Sequence, residues 1–190
     1  MTSEVIFEGK SKKNREIAIR FPKCTDVESL WRYINALSQE KTHIRFQGET
    51  ISLEEEKEYL TSLLQEIDQR KALHLLAFHQ NELIGVAGID MVDRTSRHVG
   101  ELGISIHKNF RGEGIGTLLM EMVIQEAVKT IPLLEIITLE VFSNNLIGTE
   151  MYKKQGFIPY GCLPRGIKLE NRYEDLVLMS KTVLNKKNMI

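Results

Sequence analysis

A mixed, largely antiparallel α/β sheet of about six to seven strands, flanked by about four helices, is the fold predicted by this 190-residue sequence. Three observations predict it. Apolar residues recur at helical spacing in two capped segments of the first third. Short apolar runs divided by turn residues then follow one another from residue 72 to residue 107. A glycine-rich turn next opens a third helix, and strand and helix patterns alternate from there.

Each element has its own signal. Residues 1–14 are polar and irregular and lead into the basic run "KSKKNR" (Lys10–Arg15), and are expected to be a solvated N-terminal extension. "EIAIRF" (Glu16–Phe21) is a strand. Thr25 and Glu28 have capping-box spacing before a helix carrying Val27, Leu30, Trp31, Ile34 and Leu37 on one face. Ser52 and Glu55 repeat that signal before Leu60, Leu63, Leu64 and Ile67, a helix running to about Gln69, with a loop between the two helices. "ALHLLAFH" and "IGVAGIDMV" form a hairpin about "QNEL", and "GELGISIH" (Gly100–His107) is the next strand. Ile115, Leu118, Leu119, Met122, Val123 and Ala127 line a helix ending near Pro132. "LEIITLEVF" (Leu134–Phe142) is a strand, and Ser143, Asn144 and Asn145 offer caps for a short helix stopped at Gly156. "FIPYGCL" and "YEDLVLMS" are the last two strands, separated by the polar loop "PRGIKLENR". No repeat or internal linker interrupts this order, so the chain is expected to be one domain, residues 1–190.

Composition narrows the function classes. Hydrophobic residues make up 42% and charged residues 27%, as in an ordinary soluble domain. The net charge of −1 gives no case for nucleic acid or an anionic membrane as a partner. The two cysteines, Cys24 and Cys162, lack metal-ligand spacing and point to a reducing, cytoplasmic setting. His43, His74, His79, His98 and His107 show no metal spacing either, so no metal is expected.

The most informative stretch is "NFRGEGIGTLLMEMV". Glycines at 112, 114 and 116 let backbone approach an anion without a Cβ in the way. The helix that starts at once adds unpaired N–H groups and a partial positive charge, and Arg111 adds a cation. A Walker A loop would need Gly-Lys-Ser/Thr at the helix start, which is missing. A dinucleotide fingerprint would need glycine at Thr117 or at Leu119. The pattern that remains is Arg-x-x-Gly-x-Gly: Arg111, Gly114, Gly116.

With "ISIHKNFRGEGIGTLLMEMV" the chain resembles the GNAT superfamily of acetyl-CoA-dependent N-acetyltransferases. A second family motif is matched by "NLIGTEMYKKQGF": Asn145, Gly148, Tyr152, Gly156 and Phe157. Two departures are Lys108, where a proline is common, and Gly148, where alanine is commoner. The resemblance covers about Glu16 to Lys181 and implies a sheet splayed at the cofactor site.

The resemblance further implies acetyl-CoA as co-substrate. Its pyrophosphate would be held by Arg111, Gly112, Glu113, Gly114, Ile115, Gly116 and Thr117, largely through backbone N–H groups. The backbone of Ile104, Ser105 and Ile106 would meet the pantetheine arm. Asn145, Gly148 and Tyr152 would border the cofactor, with Tyr152 protonating the leaving thiolate. Glu101 is the first candidate for the base that deprotonates the amine, directly or through water, and Glu140 is the second. The polar loop with Arg165, Lys168, Arg172, Glu174 and Asp175 is the candidate for one acceptor wall, and Trp31 and Tyr33 through His43 for the other. The expected reaction is direct attack of a primary amine on the thioester. The acceptor classes are small-molecule amines, polyamines, and peptide or protein amines (an N-terminus or a lysine). A non-catalytic acyl-CoA-binding domain is the alternative. The oligomeric state is open, with a homodimer under consideration.

Overall fold

The computed structural model describes residues 5–183. Its elements in order are β1 (Val5–Lys10), β2 (Glu16–Arg20), α1 (Val27–Gln39), α2 (Leu53–Asp68), β3 (Ala72–His79), β4 (Glu82–Met91), β5 (Val99–Ile106), α3 (Ile115–Thr130), β6 (Ile136–Phe142), α4 (Leu146–Lys154), β7 (Ile158–Lys168) and β8 (Tyr173–Thr182). The eight strands form one mixed sheet in the order β1-β2-β3-β4-β5-β6-β8-β7. The pair β5–β6 is parallel, and β6–β8 and β7–β8 are antiparallel.

The eighth strand comes from the segment expected to be irregular. Val5–Lys10 pairs with β2, Phe7 opposite Ile19 and Lys10 opposite Glu16, so that part of the expected extension is an edge strand. Residues 1–4 of it lie outside the described residues. Glycine hides the alternation: a Cβ at Gly9 would lie 2.5 Å from the tip of the Phe7 ring, which covers that position. The other difference is at β7, which continues through Lys168 into the expected loop. Register shifts between Pro159 and Gly161 and between Leu163 and Ile167, with Arg165 at φ 56, break the two-residue period that would reveal it.

The helix starts also divide. Ser52 and Glu55 form the expected box: the Glu55 N–H donates to Ser52 Oγ at 3.2 Å and the Ser52 N–H donates to Glu55 Oε2 at 2.8 Å. The Thr25/Glu28 box does not form. A 3-10 turn over Cys24–Asp26 precedes α1 instead, and the buried Asp26 accepts from the Lys23 N–H and takes both arms of Arg20, each contact at 2.7 Å. A fork-to-fork pair of this kind fixes the entry to α1 better than a hydroxyl cap would.

By compactness the chain divides into two units. One holds the chain to Asp90 together with Gly103–Ile131, and the other holds Met91–Leu102 together with Pro132 onward. In the first unit, Leu30, Tyr33 and Leu37 of α1 and Leu60, Leu63 and Ile67 of α2 cluster with Ala72, Leu76, Phe78 and Leu83. The alternate residues of β3, Leu73, Leu75 and Ala77, are buried too, and α3 packs against this strand. That is why β3 shows no polar face in the sequence. The second unit is built on Leu134, Ile137, Leu139, Val141, Leu176 and Met179, with Tyr152 edge-on to Phe157 at 6.2 Å between ring centroids.

Candidate active site

In the first unit β5 leads into the glycine turn. The His107 N–H donates to Ile84 O at 2.9 Å, and a 3-10 turn over Lys108–Phe110 buries the Phe110 ring. Arg111 is extended, Gly112 has φ 73 and Gly114 has φ 83, and α3 starts at Ile115. Both glycines therefore hold left-handed backbone, which an L side chain resists. A Cβ at Gly112 would meet nothing within 4 Å, so there the constraint is the angle and not the space. The first intrahelical bond runs from the Leu118 N–H to Gly114 O at 3.1 Å. The N–H groups of Ile115, Gly116 and Thr117 thus precede the helix ladder and have no acceptor within it.

Side chains from far away in sequence stabilise this turn. Arg111 Nε donates to Ile106 O at 2.8 Å, and its guanidinium pairs with Glu40 at the end of α1. Glu40 Oε1 also accepts from the Lys108 N–H at 3.3 Å. Arg111 therefore ties β5 to the turn as well as lending it charge, and its side chain stays 42% exposed. The Glu113 side chain is fully buried and accepts from Ser11 Oγ at 2.8 Å. Ile104, Ser105 and Ile106 are half-buried, and Ser105 Oγ lies 2.9 Å from the hydroxyl of the buried Tyr33. Burial pushes the Tyr33 phenol well above its ordinary range.

In the second unit the parallel ladder pairs Val99, Gly100 and Glu101 with Ile136, Ile137 and Thr138 and goes no further, although β5 runs on to Ile106. Glu101 sits at its end and is exposed. Glu140, two residues beyond its partner Thr138, is also exposed and shares that face of the sheet, because aligned residues of parallel strands point to the same side. Asn145 caps α4, its Oδ1 accepting from the Gly148 N–H at 3.0 Å. A Cβ at position 148 would lie 2.7 Å from Asn145 Nδ2, so glycine there makes room for the cap. Asn145→Ala is expected to lower stability by about 1 kcal/mol, the usual worth of such a cap, while Asn145→Asp holds it; urea unfolding checks this. Tyr152 is buried, 8% exposed, and its hydroxyl makes no hydrogen bond to another described residue. Burial pushes its phenol up to about 12.

Ile104–Ile106 and Arg111–Thr117 thus belong to one unit, and Glu101, Glu140, Asn145, Gly148 and Tyr152 to the other. Sequence reasoning missed Glu40 and Ser11 as partners of the turn. Among the described residues no group of three or more His, Cys, Asp or Glu gathers as a metal site, and no helix is long and apolar enough to cross a membrane.

Residues 33–157 match the profile of the Acetyltransferase (GNAT) family. Among solved structures, the chain is similar to the acetyltransferase of GNAT family from Streptococcus pneumoniae at 29% identity, covering 88% of this chain and 100% of that one, with a TM-score of 0.81. It shares the fold of ribosomal-protein-S5-alanine acetyltransferase from Vibrio fischeri, at 20% identity over 94% of this chain and 97% of that one, TM-score 0.78. It also shares the fold of yncA from Salmonella typhimurium, solved with its cofactor acetyl-CoA, at 17% identity over 87% and 93%, TM-score 0.75.

Proposed function

The chain belongs to the acetyltransferase (GNAT) family, and from that premise we propose that it moves an acetyl group from acetyl-CoA to a primary amine. The observation that carries this is the pair of left-handed glycines, Gly112 and Gly114, placed directly before α3 at the end of β5. A turn of that shape offers consecutive N–H groups to a diphosphate, and neither ATP-binding nor dinucleotide-binding spacing surrounds it. The chain acts as one acetyltransferase domain, since the family match runs through both compact units.

The residues divide the work by chemistry. An amine with a free pKa near ~10 must lose a proton before it attacks. Glu101, or Glu140 on the same face, accepts that proton directly or through water; both are solvated carboxylates that can pass it to bulk. Backbone N–H groups of Ile104–Ile106 serve the charge that develops on the carbonyl oxygen. Tyr152 offers its uncommitted hydroxyl to the departing sulfur. The acceptor is a small-molecule amine, a polyamine, or a peptide amine, a class that includes the protein substrates named for the Vibrio fischeri relative in fold.

Release of free thiol from acetyl-CoA, followed over a panel of amines and N-terminal peptides, tests this. Turnover with one acceptor class supports the reading. Acetyl-CoA binding with no thiol release across the panel would return the chain to a non-catalytic acyl-CoA-binding role. Stabilisation by ATP or NAD but not by acetyl-CoA would overturn the assignment altogether.

A further inference from the structure

The tip of the hairpin between β1 and β2, "SKKNR" (Ser11–Arg15), is docked on the glycine turn although 102 residues separate Ser11 from Glu113. The Lys12 N–H donates to Glu113 O at 3.0 Å, and Ser11 Oγ donates to Glu113 Oε2 at 2.8 Å. Glu113 Oε1 is buried without a hydrogen bond and lies 3.5 Å from the Arg15 guanidinium and 3.6 Å from Lys13 Nζ. Arg15 is itself seated on the Phe110 ring, 4.7 Å from its centroid. A carboxylate inside an anion-binding turn would repel the anion. Here it is turned inward and neutralised, and it serves as the anchor of a basic hairpin tip.

The tip places one more cation at the turn. The Lys12 stem lies over Gly114, close enough that a Cβ there would meet its Cε at 3.1 Å and its Cδ at 3.4 Å. The ammonium is one bond beyond that Cε. A cation beside a helix N-terminus is unfavourable by itself and becomes favourable when an anion lies between them. We propose that the β1–β2 hairpin tip is a wall of the diphosphate cradle, with Lys12 supplying a cation to the diphosphate and Glu113 holding the tip in place. This rests on acetyl-CoA being the donor.

Calorimetry with CoA and with 3′-dephospho-CoA tests it on the full chain, for wild type, Lys12→Met and Lys12→Arg. Lys12→Met is expected to weaken both ligands about tenfold, the range of one charge-assisted contact, and Lys12→Arg to restore most of that. Glu113→Gln is expected to raise KM for acetyl-CoA severalfold while kcat holds, which general destabilisation would not do. Unchanged affinity in Lys12→Met overturns the proposal. So does a loss seen with CoA alone, which would put Lys12 on the 3′-phosphate. A wild-type chain that binds neither ligand instead removes the acetyl-CoA reading on which the proposal stands.

Discussion

Gly114→Asp is expected to abolish CoA binding, raising Kd by at least about a hundredfold, while the protein stays folded. Three effects act at this position. Gly114 has φ 83, and a non-glycine residue there costs roughly 1–2 kcal/mol of backbone strain. Against that, Gly114 is the N-cap residue of α3, and a carboxylate at a helix N-terminus recovers about 0.3–1 kcal/mol. The net cost to the fold is therefore small against an ordinary domain stability of ~5–15 kcal/mol. Binding has no such offset. The new carboxylate grows from a Cβ that faces the Lys12 stem, beside the N–H groups of Ile115–Thr117, where it competes for that cation and repels a ligand of its own sign. Gly114→Ala separates charge from the rest: it keeps the backbone cost and the Cβ contact with the Lys12 stem, Cε at 3.1 Å, and lacks the negative group, so its Kd is expected between those of wild type and Gly114→Asp. Calorimetry with CoA, beside thermal unfolding of each variant, reads both quantities. Normal CoA affinity in Gly114→Asp would sink the diphosphate assignment.

The glycine turn was legible in the sequence because every requirement on it is local: two residues at positive φ, a helix start, an arginine within three residues of Gly114. The same holds for Ser52–Glu55 at α2 and Asn145 at α4, whose partners lie three residues away. The supports of the site were not legible because their partners are distant. Glu40 reaches Arg111 across 71 residues, Tyr33 reaches Ser105 across 72, and Ser11 reaches Glu113 across 102. Nothing in the neighbourhood of Glu40 or Ser11 marks them, since a glutamate at a helix end and a serine in a basic run both read as solvated. The run "KSKKNR" shows what is lost: charge density suggested a free arm, whereas three of its side chains are organised about one buried carboxylate. The strands that were missed or shortened, β1 and the end of β7, fail for a different reason. A glycine under a ring and two bulges remove the alternation on which strand recognition depends.

Tyr152→Phe is expected to lower kcat about a hundredfold and leave the Kd for acetyl-CoA within about twofold. The ring is what packs: it lies edge-on to Phe157, and phenylalanine keeps that contact. The hydroxyl bonds to no other described residue, so its removal leaves no orphaned partner and costs the fold little. The size of the kinetic loss follows from the acidity. Burial pushes the Tyr152 phenol up to about 12, whereas a thiol titrates near ~8.5, so complete transfer of the phenolic proton to the thiolate is uphill by roughly 3–4 pKa units. Tyr152 therefore acts on the developing thiolate chiefly as a hydrogen-bond donor, worth about 1.5–3 kcal/mol to a charged acceptor, or roughly ten- to a hundredfold and somewhat more. Steady-state kinetics with saturating amine reads kcat, and calorimetry reads the affinity; unchanged turnover removes Tyr152 from the mechanism. The same acidity gives a check that needs no acceptor. The phenol is raised in the folded chain and ordinary, near ~10, in the unfolded one, so its contribution of roughly 2–3 kcal/mol is complete below pH ~10 and is lost as pH rises towards 12. Urea unfolding between pH 9 and 12 should show a shallower loss of stability in Tyr152→Phe than in wild type. Identical slopes would mean that the phenol is as accessible to hydroxide as a tyrosine in the unfolded chain, and the buried donor required at the sulfur would be gone with it.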